Sequence, residues 1–118
     1  MEKGFRGLQV WKKGVDLAVY IYQKTKEGDF SKDYGLCDQI RRASVSIPSN
    51  IAEGDELGSN KQSIRHFYIA KGSSAEVLTQ TIIAHKIGYV ADETFHRIQT
   101  ETTEISKMLS KLIDARSR

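Results

Sequence analysis

Apolar side chains recur at intervals of three and four residues through four stretches of this chain, and that spacing constrains the fold more than any other feature. Such an interval puts the apolar residues on one face of an α-helix, whereas strands show strict alternation. Pro48 is the only proline among 118 residues, so little interrupts long helices. The pattern predicts four helices, at about residues 8–27, 32–57, 60–88 and 92–115.

Short polar residues stand where three of these helices are expected to begin. Ser31 is the expected N-cap of the second helix, and Asp92 that of the fourth. Ser59 followed by Gln62 matches a capping box for the third helix, in which the serine hydroxyl accepts from the Gln62 backbone and the Gln62 amide reaches back. Gly88 is expected to end the third helix, because glycine commonly follows a helix C-terminus.

The lengths of the helices and turns predict the fold class. Four helices joined by turns of a few residues hide their apolar stripes together only when consecutive helices run antiparallel. We therefore expect an all-α fold, an antiparallel up-down-up-down four-helix bundle, formed by a single domain over residues 1–118. Two helical hairpins exchanged between chains would give the same pattern, so a closed monomer and a swapped assembly are both open.

Composition excludes several classes of protein. With 18 basic and 15 acidic side chains the chain carries a formal charge of +3, and it is long enough to bury a core without disulfides. The longest strongly apolar run, residues 18–22, is far shorter than the roughly 20 residues that span a bilayer. Residues 1–6 are followed by no apolar signal core, and the lone Cys37 cannot form an internal disulfide. We expect a cytoplasmic protein without membrane association, in which Cys37 is packed rather than reactive.

A polar stripe accompanies Pro48 along the second helix. Pro48 donates no backbone hydrogen bond, so we expect it to bend the helix unless Ser44, Ser46 or water serves the freed carbonyl of Ser44. The stripe is either solvated or a surface for a partner. Its members, taken together with Pro48 as a structural or partner-contact set, are Gln39, Arg42, Ser46, Asn50 and Glu53.

Glu76 on the third helix joins this set as the expected partner of Arg42. If the second and third helices pair antiparallel about residues 55–58, residue 42 lies within about one turn of residue 76. We predict an ion pair between the two side chains at the flank of the bundle. The alternative is that both point to water without a fixed partner.

Basic side chains are expected to gather at one end of the bundle. The first and third helices begin at the end where the fourth finishes, and only four carboxylates oppose the bases there, those of Glu53, Asp55, Glu56 and Asp114. We expect that end to bind phosphate. A closed ring of subunits would repeat it and strengthen the local potential. The alternative is an ordinary solvated rim. The candidate nucleic-acid-binding residues are Lys12, Lys13, Lys61, Arg65, Lys107, Lys111 and Arg116.

The three histidines do not match the spacing of a catalytic or metal-binding site. His66, His85 and His96 lack the i, i+4 spacing that puts two imidazoles on one helix face. Glu93 and His96 are three residues apart, but a di-iron bundle needs two such motifs. We therefore expect no enzymatic activity, no metal and no cofactor.

Aromatic and small residues bear on self-association. The chain has more aromatic side chains than four thin apolar stripes easily hide, so we expect some to contact another subunit. The small residues at 70–75, which include Gly72, would let a neighbouring backbone approach. Internal close packing of the third helix is the alternative.

Several stretches of the sequence resemble one bacterial family, the four helix bundle proteins also named 23S rRNA intervening-sequence proteins. The likeness runs over about residues 5–112. It is carried by LQVW (8–11), YGLCDQIRRA (34–43), SIPSNIAEG (46–54), FYIAKGSSAE (67–76) and IGYV (87–90).

The resemblance implies an antiparallel four-helix bundle that assembles into homopentameric rings. It further implies an association with nucleic acid, since some members are encoded inside intervening sequences of large-subunit ribosomal RNA genes. A related group serves as accessory subunits of reverse transcriptases in diversity-generating retroelements. The sequence therefore predicts a non-enzymatic homo-oligomeric scaffold with RNA, or DNA, as first candidate ligand. The alternative is a protein-binding adaptor, such as a reverse-transcriptase accessory subunit, with no RNA affinity of its own.

Overall fold

The structure is a computed structural model that describes residues 4–118, and between those residues it contains helices and turns but no strand. In chain order the elements are a 3-10 helix (Gly4–Gly7), α1 (Gln9–Thr25), a second 3-10 helix (Gly28–Lys32), α2 (Tyr34–Glu56), α3 (Asn60–Lys86) and α4 (Asp92–Arg116). The predicted all-α class with four helices is confirmed. Residues 1–3, with which the predicted domain and the N-terminal expectation begin, lie outside the described residues.

Each helix packs against the next one in the chain, and α1 packs against α4. On the α2–α3 seam, Ser46 contacts Ser73 while Asn50 contacts His66, so residue numbers rise along one helix as they fall along the other. The contact between Lys13 and Glu104 joins the first half of α1 to the middle of α4, while Arg97 in the first half of α4 lies over the ring of Tyr20 in the second half of α1. The described chain measures 45 × 23 × 23 Å.

The core is filled by large aliphatic side chains from α1, α2 and α4 and by small ones from α3. Leu17, Ile47 and Ile105 are fully buried, and burial of one such side chain contributes about 1.5 to 3 kcal/mol. From α3 the buried residues are mostly Ala, Ser and Thr, with Phe67 as the large exception. Small side chains let α3 lie close to both of its neighbours.

The start of α2 differs from the prediction. Ser31 is not the N-cap, because it lies inside the second 3-10 helix and its hydroxyl donates to the Gly28 carbonyl at 2.6 Å. Asp33 caps α2 instead, and its carboxylate accepts from the Leu36 backbone amide at 3.1 Å. Because the 3-10 helix ends at Lys32 and Asp33 is the cap, α2 begins at Tyr34 instead of residue 32.

The start of α4 is also corrected. Its N-cap is Ala91, which provides no side-chain hydrogen bond, and Asp92 is the first helical residue. The Asp92 carboxylate instead accepts a hydrogen bond from His85 Nε2, at 2.6 Å across the turn. A carboxylate in the first turn still favours the helix through the dipole, although it does not cap it.

The two remaining end signals agree with the prediction. Ser59 caps α3 by accepting from the Gln62 backbone amide at 3.3 Å, and the Gln62 side-chain oxygen accepts from the Ser59 hydroxyl at 3.4 Å rather than its amide reaching the backbone. Gly88 follows α3 with φ +85°, and the next amide, of Tyr89, donates to the Ala84 carbonyl at 2.8 Å. That is the Schellman arrangement for which glycine is suited.

α2 continues through Pro48 to Glu56. The hydroxyls expected to serve the freed Ser44 carbonyl have other partners: Ser44 donates to the Arg41 carbonyl at 2.8 Å, and Ser46 accepts from Ser73. Pro48 packs against Gly14 of α1, where an added Cβ would lie 3.4 Å from two proline ring carbons. The proline therefore helps to set the spacing between α1 and α2.

Candidate nucleic-acid interface

The basic end is the end of the molecule where α1 and α3 begin and α4 finishes. Five of the seven predicted side chains are exposed there, and within residues 4–118 no carboxylate lies within 4.0 Å of their charged nitrogens. Nothing in the described chain therefore neutralises them by direct contact. They are Lys12, Lys61, Arg65, Lys107 and Lys111.

The other two predicted side chains each pair with a carboxylate of another helix. Lys13 Nζ donates to Glu104 Oε2 at 2.9 Å, and this hydrogen bond, with the charge of Glu104, raises the pKa of Lys13. Arg116 donates to Asp55 Oδ1 at 3.2 Å, and its guanidinium lies 5.5 Å from the centre of the Phe67 ring. Lys13 thus joins α1 to α4, and Arg116 joins α4 to α2. These two acids do not offset the five exposed bases.

A hydrogen-bonded chain of polar side chains runs along the α2–α3 seam. Ser73 donates to the Ser46 hydroxyl at 2.8 Å, and the Asn50 side-chain nitrogen donates to the same hydroxyl at 3.0 Å. His66 Nδ1 lies 2.9 Å from the Asn50 oxygen and 3.2 Å from Glu53 Oε2. Both oxygens only accept, so Nδ1 carries the proton.

Part of the predicted polar stripe is therefore an interhelical network rather than a free surface. Ser46 and Asn50 are half-buried in it, whereas Gln39 and Glu53 are exposed. His66, a member of this network, was not among the residues predicted from the sequence. The antiparallel register about residues 55–58 was the signal that could have found it, since residues 50 and 66 lie at comparable distances from that turn.

The predicted ion pair between Arg42 and Glu76 is wrong. Arg42 Nε instead lies 3.1 Å from Asp38 Oδ2, one turn earlier in α2, with 81% of the Arg42 side chain exposed. Glu76 is exposed on α3. A partner at i−4 needs no side chain to cross between helices, and the Arg42 side chain lies largely in solvent.

The remaining titratable groups form no metal cluster: among the described residues no three His, Cys, Asp or Glu side chains are placed to hold an ion together. Cys37 is buried and its thiol donates to the Phe30 carbonyl at 2.9 Å. Burial raises the pKa of the Cys37 thiol, which disfavours the thiolate needed for nucleophilic attack. The prediction of a packed cysteine is confirmed.

No helix within residues 4–118 is long and apolar enough to cross a membrane.

The fold and the basic end together define an all-α protein of four helices with a candidate polyanion-binding surface. A family model described as 23S rRNA-intervening sequence protein matches residues 6–111, and the chain belongs to this family. The family predicted from the five sequence stretches is thereby confirmed.

One solved structure gives an independent comparison. The chain is similar to the crystal structure of a protein with unknown function from the S23 ribosomal protein family of Bacteroides thetaiotaomicron VPI-5482, at 27% sequence identity and a TM-score of 0.81. The similarity covers 88% of this chain and 97% of that chain. No curated protein matches the sequence.

Proposed function

We propose that this protein is a non-enzymatic, self-associating helical scaffold that binds RNA through its basic end. The observation that carries the proposal is the group of five exposed bases without carboxylate partners, Lys12, Lys61, Arg65, Lys107 and Lys111. Each base that neutralises a phosphate releases condensed counterions, so such a group favours a polyanion. Membership of a family named for an rRNA intervening sequence makes RNA the first ligand to test.

The proposal includes an up-down-up-down bundle assembled as a ring, with five subunits by family resemblance. Two pairs of contacts support the antiparallel arrangement: Ser46–Ser73 with Asn50–His66 between α2 and α3, and Lys13–Glu104 with Tyr20–Arg97 between α1 and α4. A ring would present one basic end per subunit around its axis and so raise the local positive potential.

The outer face of α3 supports self-association. Ile69, Ile83 and Ile87 are exposed there, at 40%, 46% and 54%, and Tyr68 is 57% exposed beside them. Gly72 lies within the same helix with no atom within 4 Å of an added Cβ, so a neighbouring backbone can approach closely. Of the eight large apolar side chains that are exposed among the described residues, three lie on α3 and Ile87 is its C-cap residue. Exposed apolar side chains that recur along one helix are typical of a subunit contact. In the run at 70–75, Ala70, Ser73 and Ser74 are buried, which is the internal packing that the sequence left as an alternative.

We place this scaffold in the cytoplasm, because its single cysteine is free and buried, as is common in a reducing compartment.

RNA binding is tested by fluorescence anisotropy of a structured ribosomal RNA fragment across a salt series. The key variant is the triple charge reversal Lys12→Glu, Lys61→Glu and Lys111→Glu. A matched control reverses three exposed lysines near the end of α1, the start of α2 and the end of α3, by Lys26→Glu, Lys32→Glu and Lys86→Glu. We expect affinity that falls steeply with salt, is lost in the basic-end variant and is largely kept in the control.

Equal loss in both triple variants would contradict a localised site, because net charge alone would then explain binding. No binding by the assembled wild type at low salt would contradict the proposal itself. The second candidate, a protein-binding adaptor such as a reverse-transcriptase accessory subunit, would then be favoured. The exposed apolar side chains of α3 support that candidate, because they fit a protein surface better than a phosphate backbone.

A further inference from the structure

A groove between α3 and α4 is lined by hydroxyl groups and by two lysines, Lys71 and Lys107, and no described residue of its lining is a carboxylate. Its depth comes from small side chains, because Ser74 and Ala75 of α3 stand opposite Ser106 of α4. The groove adjoins the basic end, since Lys111 lies one helical turn beyond Lys107. It was not identified from the sequence, and Lys71 was not among the predicted residues.

Lys71 is held across the groove. Its Nζ donates to the Ser110 hydroxyl at 2.7 Å, which joins the two helices. An ammonium group has three donors, so two remain for another acceptor. In the described part of the chain neither Lys71 nor Lys107 has a carboxylate within 4.0 Å.

The hydroxyl groups divide into a satisfied floor and an open rim. At the floor, Ser74 donates to the Thr102 carbonyl at 3.1 Å, and Thr102 donates to the Ile98 carbonyl at 2.9 Å. At the rim, the hydroxyls of Thr103 and Ser106 have no hydrogen-bond partner within residues 4–118. Their protons, with those of the two ammonium groups, are available to oxygen acceptors in the groove.

We propose that this groove is a phosphate-binding site that seats backbone phosphates of the RNA held at the basic end, and in this it rests on the proposed function. A phosphate offers several acceptor oxygens and a negative charge, which matches two ammonium groups without carboxylate partners beside the open hydroxyls of Thr103 and Ser106. A carboxylate in the lining would repel such a ligand, and none is present there among the described residues.

The test compares paired variants in the RNA anisotropy assay with the full-length assembled protein. The groove variant is Lys71→Gln with Lys107→Gln, and the matched control is Lys26→Gln with Lys86→Gln, which removes the same charge elsewhere. We expect the groove variant to bind more weakly and to lower the slope of log Kobs against log salt by about 0.7 to 0.9 per lysine, while the control leaves the slope unchanged.

A second variant blocks the groove without changing its charge. Ser106→Leu places a bulky side chain in the groove. Thr100→Leu, the control, places the same side chain at an exposed position of α4 outside the groove. We expect Ser106→Leu to bind RNA more weakly and Thr100→Leu to bind it as the wild type does. Circular dichroism should show that both variants are as helical as the wild type. RNA binding that is equal in groove variants and controls would overturn the groove site while leaving the proposed function intact.

A small free phosphate compound offers the same acceptor oxygens and negative charge as the RNA backbone, and is the other ligand that the groove could bind. If the wild type binds no RNA, the proposed function fails, and titration with inorganic pyrophosphate followed by NMR decides the groove separately. Amide shifts at Ser106 and Ser110 that are absent in Lys71→Gln with Lys107→Gln would support a phosphate site for free ligands. Unchanged spectra would overturn the groove site as well.

Discussion

Gly54 of α2 lies against the edge of the Phe67 ring of α3, so closely that an added Cβ would be 2.7 Å from the ring atom Cε1. The same Cβ would lie 3.1 Å from the Ser63 carbonyl oxygen, which belongs to the backbone and cannot turn away. The Ser63 hydroxyl in turn donates to the Gly54 carbonyl at 2.5 Å. The end of α2 and the start of α3 are therefore held together at a position that admits only glycine.

The first prediction is that Gly54→Ala destabilises the protein. Overpacking costs about 3 kcal/mol when backbone must move, and the helix preference of alanine returns about 1 kcal/mol, so we expect a net loss of about 2 kcal/mol. Urea unfolding at fixed protein concentration measures it. Gly35→Ala, also in α2, is the matched control, since its added Cβ meets only the Asp33 carboxylate at the ordinary contact distance of 3.8 Å and should not destabilise the protein. Equal stability of Gly54→Ala and wild type would contradict the close approach.

The second prediction concerns Tyr89, whose hydroxyl donates to Asp33 Oδ2 at 2.9 Å while the other oxygen of Asp33 caps α2. This hydrogen bond, followed by burial, raises the pKa of Tyr89, because ionisation would break the bond beside a carboxylate. A folded pKa above the unfolded value means that the stability from this contact is present below about pH 10 and is lost as pH rises through the folded pKa.

Phenolate absorbance during an alkaline titration tests this relationship. Asp33→Asn keeps an N-cap side chain but removes the charge, so we expect the pKa of Tyr89 to fall towards its ordinary value. Asp29→Asn removes an equal charge from a side chain that acts on Tyr89 only through its charge, without a hydrogen bond. It should change the pKa of Tyr89 much less. A titration curve for Asp33→Asn that overlays the wild type would show that the hydrogen bond does not set this pKa.

The third prediction concerns Asp92 and His85, which join the start of α4 to the end of α3. The hydrogen bond from His85 and the charge of its imidazolium lower the pKa of Asp92. Because the folded pKa lies below the unfolded value, the stability from this pair is present above about pH 3.9 and is lost as pH falls through the folded pKa.

NMR titration of the side-chain carboxyl carbons measures this shift. In His85→Gln we expect the pKa of Asp92 to rise towards its ordinary value, and in His66→Gln, where the histidine lies on the α2–α3 seam, to stay low. The ring of His85 also stacks on Phe95 at 4.5 Å between centres, which holds the imidazole against the start of α4. An Asp92 pKa that is unchanged in His85→Gln would contradict this explanation.

Local signals in the sequence were sufficient for both ends of α3, whereas the predicted caps of α2 and α4 were wrong and the contacts between helices could not be predicted. The predicted third helix, residues 60–88, agrees with Asn60–Lys86 because a capping serine and a terminal glycine act within a few residues of their own position. The start of α2 was misplaced because the 3-10 helix at Gly28–Lys32 has no apolar period to distinguish it. The helical repeat locates a helix, while a competing short turn decides where it begins.

The candidate site was predictable in its location but not in its pairings. Antiparallel packing alone brings the bases to one end, whereas Lys13 meets Glu104 across 91 residues of sequence. Arg42 pairs with Asp38 one turn earlier on its own helix instead of with Glu76 on α3, and an i, i+4 pair within one helix was an alternative that the sequence prediction did not weigh. The groove beside Lys71 depends on the absence of bulk at Ser74 and Ala75, which periodicity does not reveal.

The last prediction tests self-association through Gly72, which is exposed and has open space at its Cβ position. In an isolated subunit Gly72→Leu should fit without a clash and gain about 1 kcal/mol of helix propensity. In an assembly where a neighbouring backbone packs against this point, the leucine would hold the two subunits apart. We therefore expect light scattering to show a smaller particle while circular dichroism shows undiminished helix content. Thr100→Leu on α4 should leave the mass unchanged, and an unchanged mass for Gly72→Leu would remove α3 as the subunit contact.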